Sequence, residues 1–191
     1  MRHTMPTNAN KKLVILDRDG VINVDSDAFI KSPDEWVAIP GSLEAIARLN
    51  QAGYRVAIAS NQSGIGRGLF DMAALNAMHE KMNRVAAAVG GRIDAVFFCP
   101  HTQEDECECR KPKPGMLQQI VERFEIDPES TPVVGDSLRD LQAGAALGFK
   151  THLVLTGKGQ KTLAEGNLPP NTKVHADLRT FALDFLAADH D

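Results

Sequence analysis

Short apolar runs alternate with amphipathic segments along the chain. The apolar runs are three to five residues long, as in fully buried strands, and cover residues 13–16, 55–59, 95–98, 132–134 and 152–155. The amphipathic segments predict helices over residues 42–51, 72–89, 115–124, 138–147 and 178–187. Ser42 and Asp71 are the expected caps of the first two helices, and residues 156–170 read as a loop. The alternation predicts an α/β fold: a Rossmann-like, doubly wound parallel sheet with helices on both faces.

Chemically reactive side chains directly follow four of the predicted strands. In chain order they are Asp17 with Asp19, Ser60 with Asn61, Cys99, and Asp136. In open parallel sheets the ligand binds beyond the carboxyl ends of the strands. We therefore expect these side chains to meet at one edge of the sheet.

The pair Asp17-x-Asp19 is the strongest single indication of a site. Strand spacing places both carboxyl groups on one side, with Arg18 pointing away. Two carboxylates so close favour a bound cation or a shared proton. Asp136 adds a third acid, and such an oxygen-rich site suits Mg²⁺. Asp140 lies one helical turn further on, and we expect it to brace the start of that helix.

All three cysteines fall within eleven consecutive residues and have a histidine between them. Cys99 and His101 form one pair, and Cys107 and Cys109 form the other. Three thiolates and one imidazole match a tetrahedral Zn²⁺ site with no open position, which indicates a structural rather than a catalytic metal. Metal binding would order the polar loop 102–106 and fix the direction of the residues that follow it.

Two loops carry groups suited to phosphate. Arg110 and Lys111 follow the cysteine loop directly, between stiffening prolines, and arginine offers phosphate a bidentate contact. The segment 60–68 is rich in glycine and hydroxyls. It lacks the spacing of a dinucleotide fingerprint, and no helix is expected directly after its strand. A hydroxyl with free backbone N–H groups, cradling a phosphoryl oxygen, is the better interpretation.

Composition narrows the class of protein. The 191 residues suit one domain, taken as residues 11–191 after a loose tail at 1–10. The net charge of −4 and the pI near 5.9 argue against a nucleic-acid partner. No apolar run approaches the roughly 20 residues that span a bilayer, and the polar first residues do not resemble a signal peptide. We expect a cytoplasmic monomer.

The chain resembles the haloacid dehalogenase-like phosphatase superfamily, through Asp17-Arg18-Asp19-Gly20, Ser60, Lys111 and Gly135-Asp136. The resemblance implies a Mg²⁺-dependent phosphatase without a large cap domain. Asp17 would be the nucleophile, and Asp19 the general acid and then the base. Ser60 and Lys111 would hold the phosphoryl oxygens. Mg²⁺ would bind the carboxylates of Asp17 and Asp136 and the backbone carbonyl of Asp19.

The resemblance also implies a phosphorylated sugar as substrate. The residues that would read it are Asp25, Ser26, Asp27, Ala28, Phe29, Asn61, Gln62, Ser63 and Arg110. Histidinol phosphate is the alternative substrate, because phosphatases acting on it share a similar zinc loop. Two further alternatives are a phosphoacceptor signalling domain and a zinc-stabilised binding module without catalysis, which would leave the three strand-end acids unexplained.

Overall fold

A parallel sheet of six strands forms the centre of the protein in a computed structural model that describes residues 12–189. The predicted tail at 1–10 lies outside the described residues. The strands are β1 (Leu13–Leu16), β2 (Arg55–Asn61), β3 (Ala95–Cys99), β4 (Pro132–Gly135), β5 (Lys150–Val154) and β6 (Lys173–His175). Their order in the sheet is β3-β2-β1-β4-β5-β6, and all pairs are parallel. The order reverses at β1, so the carboxyl ends of β1 and its two neighbours flank a switch point, where ligands bind in such folds.

Helices cover both faces of this sheet. They are α1 (Ser42–Gln51), α2 (Ser63–Gly66), α3 (Met72–Ala88), α4 (Gly115–Phe124), α5 (Leu138–Ala146), α6 (Gly159–Glu165) and α7 (Leu178–Ala188), with short 3₁₀ turns between some of them. The residues of β1 alternate between two apolar clusters: Val14 and Leu16 pack with α1, α3 and α7, and Leu13 and Ile15 pack with α4. The predicted doubly wound fold is confirmed.

The connections leave no room for a large cap over the sheet edge. Within the described chain, only α1 and a 3₁₀ turn form regular helical structure between β1 and β2, and only α2 and α3 do so between β2 and β3. Among residues 12–189, no helix has the length and apolar character needed to cross a bilayer.

The structure corrects the predicted cap of α1 and the predicted loop at residues 156–170, and it adds one strand. The expected cap Ser42 is instead the first residue of α1; Gly41 precedes it, and the Ser42 hydroxyl donates to the Val21 carbonyl. The predicted loop 156–170 contains α6, which buries only Gly159 and Thr162 and so lacks an apolar stripe. The strand β6 was missed because it is three residues long, with two of them exposed.

A histidine pair lies where β5 and β6 meet α7. His152 Nδ1 is 3.0 Å from His175 Nε2, and His175 Nδ1 is 3.0 Å from the Asp184 carboxylate. The His152 ring also packs edge-on against Phe181, 4.9 Å between centroids. Burial and then the neighbouring His175 lower the pKa of His152 to about 3. In the folded protein His152 is therefore neutral over most of the accessible pH range.

This shift predicts acid-sensitive stability. His152 takes up a proton near pH 6.5 when the chain unfolds but only near pH 3 when it is folded, so the free energy of unfolding falls by about 1.4 kcal/mol per pH unit below 6.5. His152→Asn removes this dependence. Urea unfolding at pH 7.5 and pH 5.5 should show a smaller loss for the variant than for the wild type, and equal losses would contradict the prediction.

Candidate active site

The carboxyl ends of the central strands converge on one cavity of about 250 Å³. Asp17 follows β1, Ser60 and Asn61 end β2, and Asp136 follows β4. Lys111 reaches the same cavity from the loop before α4. The expectation that four strand ends meet at one site therefore holds for three of them; Cys99, which ends β3, does not line this cavity.

Three carboxylates form the floor of the cavity. Oxygens of Asp17, Asp136 and Asp140 lie within 4.8 Å of one another. Lys111 Nζ is 2.6 Å from Asp140 Oδ1 and 3.2 Å from Asp17 Oδ1, and it donates to the Ala59 carbonyl at 2.6 Å. One buried ammonium group therefore contacts two of the three acids, which leaves an excess of negative charge in the cluster.

The excess of negative charge shifts the pKa values of the three acids. Burial raises the pKa of Asp17 well above its ordinary value, and repulsion by Asp140 adds to the rise while Lys111 opposes it. Burial and Asp140 likewise raise the pKa of Asp136 to about 7. Burial also acts to raise the pKa of Asp140, but Lys111 and hydrogen bonds from Ser137 outweigh it and lower the pKa. A hard divalent cation would relieve the remaining repulsion, so this donor set fits Mg²⁺.

Asp140 has the bracing role expected of it. Its Oδ2 accepts hydrogen bonds from the backbone N–H and the hydroxyl of Ser137, which closes the first turn of α5. Its Oδ1 remains for Lys111. The same carboxylate thus anchors a helix and the ammonium group of the site.

Asp19 stands apart from the three-acid cluster. Its Oδ1 accepts from Arg18 Nε at 2.8 Å and from Asn23 Nδ2 at 2.9 Å, and its Oδ2 accepts from Gln62 Nε2 at 3.2 Å. Burial acts to raise the pKa of Asp19, but Arg18 and these hydrogen bonds outweigh it and lower the pKa. The expectation that Arg18 points away was wrong: its side chain is fully buried and paired with Asp19.

Asn61 fixes the backbone of Lys111. Its side-chain amide donates to the Lys111 carbonyl, and its Oδ1 accepts from the Lys111 N–H, both at 3.0 Å. Ser60 lies beside it, with its hydroxyl accepting from Gln62 at 2.8 Å. Contrary to expectation, a short helix, α2, does begin soon after β2, at Ser63. These contacts tie the end of β2 to the basic loop.

The rim holds most of the predicted substrate residues. Asp25, Ser26, Asp27, Phe29, Asn61, Ser63 and Arg110 line the cavity. Ala28 lies on a neighbouring groove instead, and Gln62 is turned toward Asp19 and Ser60.

Three cationic residues on the cavity wall were missed. They are Arg67, Arg139 and Lys158. Arg67 belongs to the glycine-rich segment, and Arg139 lies three residues after Asp136, so their positions held a usable signal. No sequence signal pointed to Lys158, because it lies in the stretch assigned to a loop. Its Nζ is 3.4 Å from Asp25 Oδ2, and its backbone N–H donates to Asp136 Oδ2.

The cysteine loop forms a second candidate metal centre. The ligand atoms of Cys99, His101, Cys107 and Cys109 lie within 4.8 Å of one another. Cys107 Sγ is 3.6 Å from both other sulfurs, His101 Nδ1 is 3.4 Å from Cys99 and 3.3 Å from Cys109, and Cys99 and Cys109 are 2.8 Å apart. Zn–S bonds near 2.3 Å in a tetrahedron require S–S separations of about 3.5–3.8 Å; both separations from Cys107 Sγ fit this range, and the other three distances are shorter.

Known proteins resemble this chain over most of its length. A family model for haloacid dehalogenase-like hydrolases matches residues 7–148. A D-glycero-beta-D-manno-heptose-1,7-bisphosphate 7-phosphatase of Bordetella bronchiseptica is 59% identical over 175 residues, which cover 92% of this chain and 98% of that protein. The protein of the same name from Pseudomonas aeruginosa is 51% identical, with 91% and 97% covered.

Solved structures agree with these relatives. The crystal structure of D,D-heptose 1,7-bisphosphate phosphatase from B. bronchiseptica, complexed with magnesium and phosphate, superposes with a TM-score of 0.92 at 59% identity and covers 93% of this chain and 99% of that one. The phosphatase of the same name from Burkholderia thailandensis has a TM-score of 0.76 at 71% identity, with 93% and 99% covered.

Gly20 allows a test of the acid cluster. It has φ +85°, and a Cβ there would overlap Asp136 Oδ2. We expect Gly20→Ala to displace that carboxylate and to weaken Mg²⁺ binding, measured by titration calorimetry, by about tenfold, a loss of about 1.4 kcal/mol.

Gly53→Ala is the matched control. Gly53 has φ +90° with nothing within 4 Å of the added Cβ. Both variants should lose about 1–2 kcal/mol of stability from backbone strain. Equal Mg²⁺ affinity in the two variants would show that Asp136 does not take part in binding the cation.

Proposed function

Because this chain belongs to the haloacid dehalogenase-like hydrolase family, we propose that it is a phosphatase that removes the C7 phosphate of D-glycero-D-manno-heptose 1,7-bisphosphate. The observation that carries the proposal is the meeting of Asp17 and Asp136, at the ends of β1 and β4, with Asp140 of α5 and with Lys111. The names of relatives 51% and 59% identical over nearly the whole chain support the choice of substrate.

Asp17 is the proposed nucleophile. One carboxylate oxygen forms a bond to phosphorus as the bond from phosphorus to the C7 oxygen breaks, which gives an aspartyl-phosphate. Asp19 donates its proton to the departing sugar oxygen, then takes a proton from the water that attacks the aspartyl-phosphate. The products are inorganic phosphate and heptose 1-phosphate, with Asp17 regenerated.

The other groups of the cavity position the phosphoryl oxygens. Lys111 and the Ser60 hydroxyl are the proposed donors, and the hydrogen bonds from Asn61 hold Lys111 in place. Mg²⁺ held by the Asp17 and Asp136 carboxylates and the Asp19 backbone carbonyl would supply the positive charge that the transferred group requires. Catalysis of this type is mostly positioning and charge neutralisation.

The wall of the cavity favours a substrate with two phosphates. Arg67, Arg110 and Arg139 lie on it together. Arg110 Nη1 is buried without a hydrogen-bond partner among the described residues, and burial, followed by the charges of Arg139 and Arg67, lowers the pKa of Arg110. Gathering three guanidinium groups is costly unless an anion binds between them. The C1 phosphate would be that anion, and histidinol phosphate has no counterpart to it.

The sugar itself would contact the rim loop. Asp25, Ser26, Asp27 and Phe29 line the same cavity, and the Phe29 ring lies 5.9 Å from the Arg67 guanidinium. Carboxylates and a hydroxyl are suitable partners for sugar hydroxyls.

A kinetic comparison tests the function. We expect kcat/KM for the heptose bisphosphate to exceed that for histidinol phosphate by about 100-fold or more, because only the bisphosphate carries a second phosphate for the arginines to bind. A 100-fold ratio corresponds to about 2.7 kcal/mol. Asp17→Asn should abolish turnover of both substrates with an unchanged circular dichroism spectrum. A higher kcat/KM for histidinol phosphate would overturn the substrate, and a stable phosphoprotein that does not turn over would favour the signalling alternative.

We also propose that the cysteine loop holds a structural Zn²⁺. Its four ligands leave no open position, and Cys109 adjoins Arg110 and Lys111 directly. The metal would therefore determine where those two cations point.

Loss of this zinc should disturb substrate binding. Cys107→Ser is expected to lower zinc content, measured by atomic absorption, below about 0.2 per chain, because one ligand of a tetrahedral site is lost. KM should rise as Arg110 and Lys111 become mobile. Glu104→Gln, an exposed change in the same loop, is the control with full zinc. Unchanged zinc in Cys107→Ser would refute this ligand set.

A further inference from the structure

We propose that His79 is a positioning residue for this reaction, one that fixes Arg18 and, through it, the carboxylate of Asp19. The inference rests on the proposed role of Asp19 as the acid that protonates the leaving sugar oxygen. His79 lies on α3, sixty residues along the chain from Asp19. Nothing in the sequence connects it with the aspartate motif.

A single guanidinium group joins α3 to the end of β1. Arg18 is fully buried; its Nε donates to Asp19 Oδ1 at 2.8 Å, and its Nη1 lies 3.2 Å from His79 Nε2. Because the guanidinium is planar and rigid, the contact at Nη1 sets the direction in which Nε meets the carboxylate. The Arg18 guanidinium therefore needs a hydrogen-bond acceptor on His79 to keep this direction.

The direction of the hydrogen bond follows from the chemistry of the two groups. Arginine only donates, so His79 Nε2 must be the acceptor, and the imidazole is then neutral with its proton on Nδ1. Burial and then the charge of Arg18 lower the pKa of His79 to about 4, in keeping with a neutral ring.

A neutral acceptor suits this place better than an acid. A carboxylate at position 79 would compete with Asp19 for the positive charge of Arg18. The imidazole holds the guanidinium in place without drawing its Nε–H away from Asp19. The Asp19 Oδ2 atom, whose single donor among residues 12–189 is Gln62, keeps acceptor capacity for a proton.

The experiment compares His79→Met with His79→Gln. Both replacements are unbranched helix formers of similar length, and only glutamine offers a strong acceptor. kcat/KM is measured on the heptose bisphosphate, whose alkoxide needs a proton to leave, and on 4-nitrophenyl phosphate, whose nitrophenolate does not. This ratio reports only the steps up to leaving-group departure.

We expect His79→Met to lower kcat/KM on the sugar substrate by about tenfold, which is a part of the roughly 10²–10⁴-fold that acid catalysis contributes. On the nitrophenyl ester, the same variant should change kcat/KM by less than about twofold. His79→Gln should recover most of the loss. Equal losses on both substrates, no loss at all, or no recovery with glutamine would overturn the inference. If the methionine variant does not fold, His79→Glu replaces it, with the same selective loss expected from competition for Arg18.

Asp19→Asn separates this inference from the proposed function. If Asp19 is the acid, that variant loses far more kcat/KM on the sugar than on the nitrophenyl ester. An equal loss would refute the role of Asp19 itself. A selective loss in Asp19→Asn without one in His79→Met would refute only the positioning role of His79.

Discussion

The contact of the Lys111 ammonium group with Asp17, Asp140 and the Ala59 carbonyl is the interaction on which the site depends. Three carboxylates within 4.8 Å of one another, two of them buried and Asp17 half-buried, would repel strongly without a cation among them. Lys111 cancels part of this charge and links β1, β2 and the start of α5. The remaining negative charge is what a divalent cation would bind.

The position of Lys111 is determined from two directions. Asn61 holds its backbone from the end of β2 with two hydrogen bonds. On the other side, the chain leads directly back to Cys109 and the candidate zinc ligands. A loop of polar residues cannot bury enough apolar surface to hold such a geometry by itself, which gives a physical reason for a metal there. The two proposed metals therefore have separate tasks: one shapes the loop, and the other serves the chemistry.

The two aspartates of the Asp17-x-Asp19 motif have opposite surroundings. Asp17 faces other acids, and its pKa is raised, whereas Asp19 faces Arg18, Asn23 and Gln62, and its pKa is lowered. Two carboxyl groups only two residues apart thus have different environments. Mg²⁺ beside Asp17 would lower the pKa of that carboxyl toward the anionic form that a nucleophile requires. The contact between Arg18 and His79 extends this arrangement to α3.

The sequence alone determined the fold class and most of the site, because both follow from local patterns. Buried strands appear as apolar runs, and residues such as Asp17, Ser60 and Asp136 directly follow them, so the parallel sheet places them together. The cysteine cluster was visible from spacing alone. Only the tertiary structure decided that Arg18 pairs with Asp19, that His79 supports it, and that Arg67, Arg139 and Lys158 join the cavity wall. These residues come from separate elements, and the direction of a long side chain depends on the partners that packing brings to it rather than on its neighbours along the chain.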